Sequence, residues 1–115
     1  MTLQLTNPQA LSLWLNTVST LVRGEETHDL TSRQMAILLT VYLNPGPHTV
    51  RGLAAELDIT KPVVTRALDT LGRLGLLKRR RDTADKRNVL IERTPRGSNY
   101  LGQLSDIIVT AGYDA

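Results

Sequence analysis

Apolar residues return along this chain at helical spacing for most of its length, and the pattern shifts to alternation once. Leu11, Trp14, Leu15, Val18, Leu21 and Val22 recur every three or four positions, the mark of one helical stripe. Asn7 then Pro8 reads as an N-cap and a first helical residue, and Gly24 after Arg23 as a stop, so a first helix is expected over 8–23. Leu3 and Leu5 sit in a short arm before it. Beyond the polar connection GEETHD, Thr31 or Ser32 can cap a second helix. Met35, Leu38, Leu39 and Tyr42 hold the i, i+3, i+4, i+7 spacing there, and Ile37 and Val41 add a second apolar side. NPGP at 44–47 ends that helix. Thr49 caps a short third helix with Val50, Leu53, Ala54 and Leu57 inward. Asp58-Ile59-Thr60 is a tight connection. Thr60 caps a fourth helix, 61–74, with Pro62 in its first turn and Val64, Ala67, Leu68 and Leu71 as its buried stripe. Gly75 closes it. Residues 77–81 and 88–93 then read as two strands around a six-residue polar loop. Thr94-Pro95 opens a fifth helix, 95–111, lined by Tyr100, Leu101, Leu104, Ile107, Ile108 and Ala111.

Two helices joined by a three-residue turn make a helix-turn-helix, and the attached hairpin makes it winged. The expected fold is mainly α with a small β-hairpin wing. It forms a single winged helix-turn-helix domain over 1–115, with a core at 31–93 and flanking helices at 8–23 and 95–111. A length of 115 residues suits one domain with a modest core. One Trp, three Tyr and no Phe mean that aliphatic side chains must build that core. The absence of Cys excludes disulfides, zinc–thiolate sites and thiol redox sensing. No apolar run nears the ~20 residues of a membrane span, and no secretion signal opens the chain, so a cytoplasmic protein is expected.

Charge changes the picture more. Residues 51–96 hold 12 of the 14 Lys and Arg and 6 of the 11 acids, a net of +6, whereas the remainder holds 2 basic and 5 acidic residues, a net of −3. A basic segment beside acidic flanks is the footprint of a polyanion site, although a solvated basic face gives the same count. Once the fourth helix buries its stripe, Lys61, Pro62, Val63, Thr65, Arg66, Asp69 and Thr70 point outward. An α-helix fits the major groove of B-form DNA. Arg66 can donate twice to guanine, Thr65 can donate or accept, and Val63 or Pro62 can touch a thymine methyl. Thr60 and the open N–H groups of the helix start suit a phosphate. Asp69 is better read as the partner of a neighbouring Arg. On the hairpin, strand alternation turns about half of Lys78, Arg79, Arg80 and Arg81 to one side, and Arg79 and Arg81 are assigned to DNA. The loop 82–86, carrying Lys86, projects a tip, and Arg87 just behind it suits a narrow minor groove. Asp85, two residues earlier, can hold Arg87 in place. The plain alternatives are a solvated helix face and an ordinary charged turn.

These stretches together resemble the MarR family of winged helix-turn-helix transcription regulators. The matching segments are LTSRQMAIL, VRGLAAELDITKPVVTRALDTLGRLGLLKR and DKRNVLIERTPRG, within residues 30–101. The resemblance implies that the helix at 61–74 reads the major groove, that Arg87 enters the minor groove and that Asp85 supports it. It implies a homodimer on a palindromic operator, most often as a repressor, and in many members release of DNA by a small ligand. Two departures stand out. A typical member continues into a sixth helix that makes much of the dimer interface, and Arg93 stands where an apolar residue is usual. Dimerisation is therefore expected through the first and fifth helices, with Leu13 and Val109, off their stripes, as candidates for it.

Other chemistry finds little support. His28 and His48 read as surface or capping residues rather than metal ligands. Glu25-Glu26 is a solvated pair, the glycines lack a phosphate-loop pattern, and Trp14 reads as core. No enzyme activity and no cofactor is expected, and no residue argues for an effector. The competing reading is a winged-helix module that docks on another protein, with little specific DNA binding.

Overall fold

A computed structural model describes residues 4–25 and 28–115, so the expectations for Leu3 and Glu26 lie outside the described residues. The chain falls into two compact units, Leu30–Asn99 and the residues up to Asp29 together with Tyr100–Ala115. The described residues form five helices and a small three-stranded antiparallel sheet.

The Leu30–Asn99 unit opens with α1's successor, α2 (Ser32–Leu43), numbered after α1 (Asn7–Arg23) of the other unit. Thr31 caps α2 through a reciprocal box: its side chain accepts from Gln34 N, and its own N–H donates to the Gln34 side chain. Ile37, Leu38 and Val41 are buried, while Met35, Leu39 and Tyr42 are half-buried. Burial on two sides is met, but the most enclosed side is the one marked by Ile37 and Val41. The helix α3 (Val50–Leu57), capped by Thr49, buries Leu53 and Ala54. Asp58 then takes a left-handed conformation (φ 54°), which turns the chain sharply into α4. The helix α4 (Lys61–Arg73), capped by Thr60, buries Val64, Ala67, Leu68 and Leu71 as expected. It ends one residue early: Leu74 is its cap, and Gly75 supplies the positive φ that follows.

The sheet has the order β1-β3-β2. The strand β1 (His48–Thr49) was not foreseen; two residues are too few to carry alternation. It pairs with β3 (Val89–Arg93), as does β2 (Leu77–Arg81), with Arg79 opposite Ile91 and Arg80 opposite Leu90. Asn88 belongs to the loop rather than to β3, because its N–H closes the turn on Asp85 O. Thr94 starts α5 (Pro95–Tyr113), which runs two residues past its expected end. The Thr94 hydroxyl accepts from Gly97 N and donates to Gly75 O, so one side chain joins the α5 start to the α4 stop. Tyr42 reinforces the same corner, donating to Leu76 O and accepting from Thr94 N. Arg93 is exposed, yet it has a purpose of its own. Its Nε donates to Val41 O near the end of α2, at 3.0 Å, and its guanidinium lies over the Tyr42 ring.

In the other unit α1 begins one residue earlier than expected. Thr6, not Asn7, is the cap, because Thr6 and Gln9 form a reciprocal box that Asn7 cannot. The side of α1 that is enclosed carries Thr17, whose hydroxyl donates to Leu13 O at 2.8 Å, with Leu13 itself half-buried. Most of the expected inner stripe is turned to solvent instead, with Leu11 71% exposed, Trp14 60%, Leu15 62% and Val22 83%, while Val18 and Leu21 are half-buried. Trp14 is therefore not a core residue of this chain, and Leu13, off that stripe as expected, is half-buried on the enclosed side rather than exposed for a second copy. On α5, Tyr100, Leu104 and Ala111 are buried, but Ile108 and Val109 are exposed. The His28 ring lies 5.4 Å from that of Tyr100, so His28 is a packing residue rather than a surface one. His48, in the first unit, has its Nε2 3.0 Å from Asn44 O, the cap of α2, which fits a capping role.

Candidate nucleic-acid interface

The apolar stripe of α4 decides which of its residues remain outside. With Val64, Ala67, Leu68 and Leu71 pinned beneath, Lys61, Pro62, Thr65, Arg66 and Asp69 are exposed, and Val63 and Thr70 are half-buried. Thr60 accepts from Val63 N at 3.4 Å, which leaves its hydroxyl proton to give elsewhere. Thr70 is less available: its hydroxyl accepts from Arg73 Nη2 at 3.2 Å. Neither Lys61 nor Arg66 makes a hydrogen bond or ion pair with a described residue. An unpaired guanidinium on a well-anchored helix is poised to meet an external acceptor, and Thr60, Thr65 and Lys61 flank it.

The wing is joined to that face by one ion pair. Arg79 of β2 reaches Asp69 of α4, Nη2 to Oδ1 at 2.8 Å. The partner foreseen for Asp69 is thus a residue of the strand rather than of its own helix. Register explains how: Arg79 and Arg81 share the side of β2 that carries buried Leu77, whereas Lys78 and Arg80 take the opposite side. Arg79 therefore extends from the edge of the core toward α4. Arg80 is tied across the sheet to Glu92 at 3.2 Å. Of the basic block, Lys78 and Arg81 remain without a partner among the described residues, as does Lys86 at the tip.

At the tip, Asp85 grips Arg87 three times. Its Oδ1 accepts from Arg87 Nε at 3.0 Å and from Arg87 N at 3.1 Å, and its Oδ2 accepts from Nη2 at 3.1 Å. These bonds, with a smaller pull from the Arg51 charge, hold the Asp85 carboxyl below its ordinary range, and Arg87 is pushed up in return. The Arg87 side chain stays mostly solvent-facing, so the clamp fixes its orientation without hiding it.

The MarR-family sequence model matches residues 28–88, more than half the chain and all of the helix-turn-helix. The chain belongs to the MarR family. The uncharacterized HTH-type transcriptional regulator YkoM of Bacillus subtilis is 30% identical over 86 residues, 75% of this chain and 55% of that protein. The chain thus spans about half the length of the curated relative it matches. Among solved structures, a transcriptional regulator from Thermotoga maritima superposes with a TM-score of 0.72 at 23% identity, over 88% of this chain and 68% of its own. The S. aureus MepR–DNA complex gives 0.69 at 22%, over 90% and 78%. A crystal structure of MarR gives 0.66 at 25%, over 93% and 78%. The first two likenesses establish the shared winged-helix fold.

Within this MarR-family scaffold one basic residue escaped the sequence reading. Arg51, exposed in the first turn of α3, lies close enough to the wing to act on Asp85. The signal was its place at the start of the basic segment. Its nearness to the wing depends on β1, which seats the start of α3 beside β3.

Proposed function

We propose that this chain is a sequence-specific, double-stranded DNA-binding regulator of transcription that represses by occupying its operator. In this reading α4 enters the major groove, with Arg66 and Thr65 at base edges, Pro62 and Val63 against thymine methyls, and Lys61 and Thr60 on phosphate. The wing lies along the adjacent minor groove, with Arg87 inserted and Arg81 and Lys86 on the backbone. The observation that carries the proposal is the Asp69–Arg79 pair. It ties the exposed side of α4 directly to the wing strand, so the two basic features adjoin and neither is covered within its unit. The crystallised complex of MepR with DNA, a protein of the same fold, supports it. No described helix is long and apolar enough to cross a membrane, which suits a cytoplasmic regulator.

The reading includes a homodimer. Four large apolar side chains of α1 face solvent together, far more than scattered surface residues require. A second copy offers the same face, and an isologous contact would place two α4 helices on a palindrome. Arg66→Ala is expected to cost ~1–3 kcal/mol at the preferred site and to relax specificity at one base. Arg87→Ala is expected to weaken binding chiefly where the minor groove is narrow. Gel-shift titrations in which both variants bind as tightly as the parent would rule the reading out.

A further inference from the structure

The pair between Asp69 and Arg79 has a cost for a DNA-binding surface. An acid on the outward side of α4 repels phosphate, and it offsets the charge of a guanidinium that, at 39% exposed against 78% for the clamped Arg87, is also less open to solvent. Stability does not account for the arrangement. Both side chains are substantially exposed, at 39% and 53%, and such ion pairs add little to folding. One Asp69 oxygen accepts from Arg79 at 2.8 Å, so the carboxylate would meet a cytosine amino group only through the acceptor sites that this contact leaves. On its own sequence the base contacts fix where α4 sits, whereas on any other duplex a freed Arg79 can settle on whichever phosphate is nearest, so its release adds more to non-cognate than to cognate affinity. Lys61, Arg66, Arg81 and Lys86 already supply unpaired charge.

We infer that Asp69 is a specificity-determining residue: it withholds Arg79 from the phosphate backbone and so limits binding to non-cognate duplex. The inference rests on the DNA-binding reading above. Arg79, assigned to DNA from the sequence, is in this account a cation kept in reserve, and the specificity of the surface depends on its remaining so.

The test is a salt titration of the purified full chain by fluorescence anisotropy. Two duplexes of equal length and composition are used, one selected for tight binding and one scrambled. The proteins are the parent, Asp69→Asn, Arg79→Gln and the double variant, each with its helical circular dichroism checked. Asp69→Asn is expected to tighten binding to the scrambled duplex more than to the selected one. It should steepen the slope of log K against log salt by ~0.9, one phosphate contact. Its advantage over the parent on scrambled duplex then shrinks roughly 3.5-fold between 50 and 200 mM salt. The double variant is expected to return to the parental slope, because the gain needs Arg79. An unchanged slope in Asp69→Asn, or a gain that survives in the double variant, overturns the inference while leaving DNA binding intact. A parent that binds neither duplex in a salt-dependent way overturns the DNA-binding reading itself.

Discussion

Tyr100 is 7% exposed, and its buried hydroxyl makes no well-formed hydrogen bond among the described residues, with only a weak approach from the His28 backbone. A polar group buried in this way costs about 1–3 kcal/mol, so Tyr100→Phe is expected to raise stability by roughly 1 kcal/mol in urea unfolding. Burial also pushes the phenol above its ordinary value of 10.0, tempered by the nearby His28 backbone. The sign follows: the fold favours the neutral phenol, so this contribution is complete below pH ~10 and is lost as pH rises through the folded value. Melting curves should therefore fall less steeply above pH ~10 for Tyr100→Phe than for the parent; parallel curves would contradict it. Other residues show what a sequence can disclose at this scale. Asp85 and Arg87 are two positions apart on a turn, and their clamp was legible. That Asp69 would take an Arg was also legible, but which one was not: Arg66 and Arg73 lie nearer in sequence, and the choice of Arg79 depends on how β2 lies against α4.

The helices of the reading unit followed from periodicity because each has a threonine cap and apolar positions at helical spacing, on one side of α3 and α4 and on two sides of α2. The Thr6 cap was missed although Thr-x-x-Gln stands in the sequence twice, at 6–9 and 31–34, and forms a capping box both times. The strand β1 left no periodic trace, since pairing with β3, rather than its own pattern, creates it. The junction of α4, β2 and α5 is similarly a product of tertiary contacts. A side chain at Gly97 would overlap the Tyr42 hydroxyl and the Leu76 carbonyl, the two ends of a hydrogen bond that fixes this corner. Gly97→Ala is therefore expected to destabilise the fold by about 1–3 kcal/mol, seen as a lowered urea midpoint, whereas Gly72→Ala, with open space around it, should not. Equal midpoints for the two variants would mean that the corner is looser than described.

Over the whole molecule, the clearest divergence from the sequence reading lies in α1. Its strongest apolar stripe was assigned to the interior, yet Leu11, Leu15 and Val22 face solvent and the opposite side, around Thr17, is enclosed. Periodicity reveals that a helix has an apolar face; it is silent on whether the same chain or another copy covers it. Leu15→Glu is expected to convert a dimer into a 12.7 kDa monomer by light scattering, with helical content retained and operator affinity reduced. Selection of bound sites from random duplexes tests the central claim most directly, since it interrogates base reading and two-fold symmetry at once. The account predicts a palindromic consensus whose half-sites lie about one helical turn apart and which Arg66→Ala degrades at one base of each half. Recovery of unenriched sequences by a folded protein would contradict it.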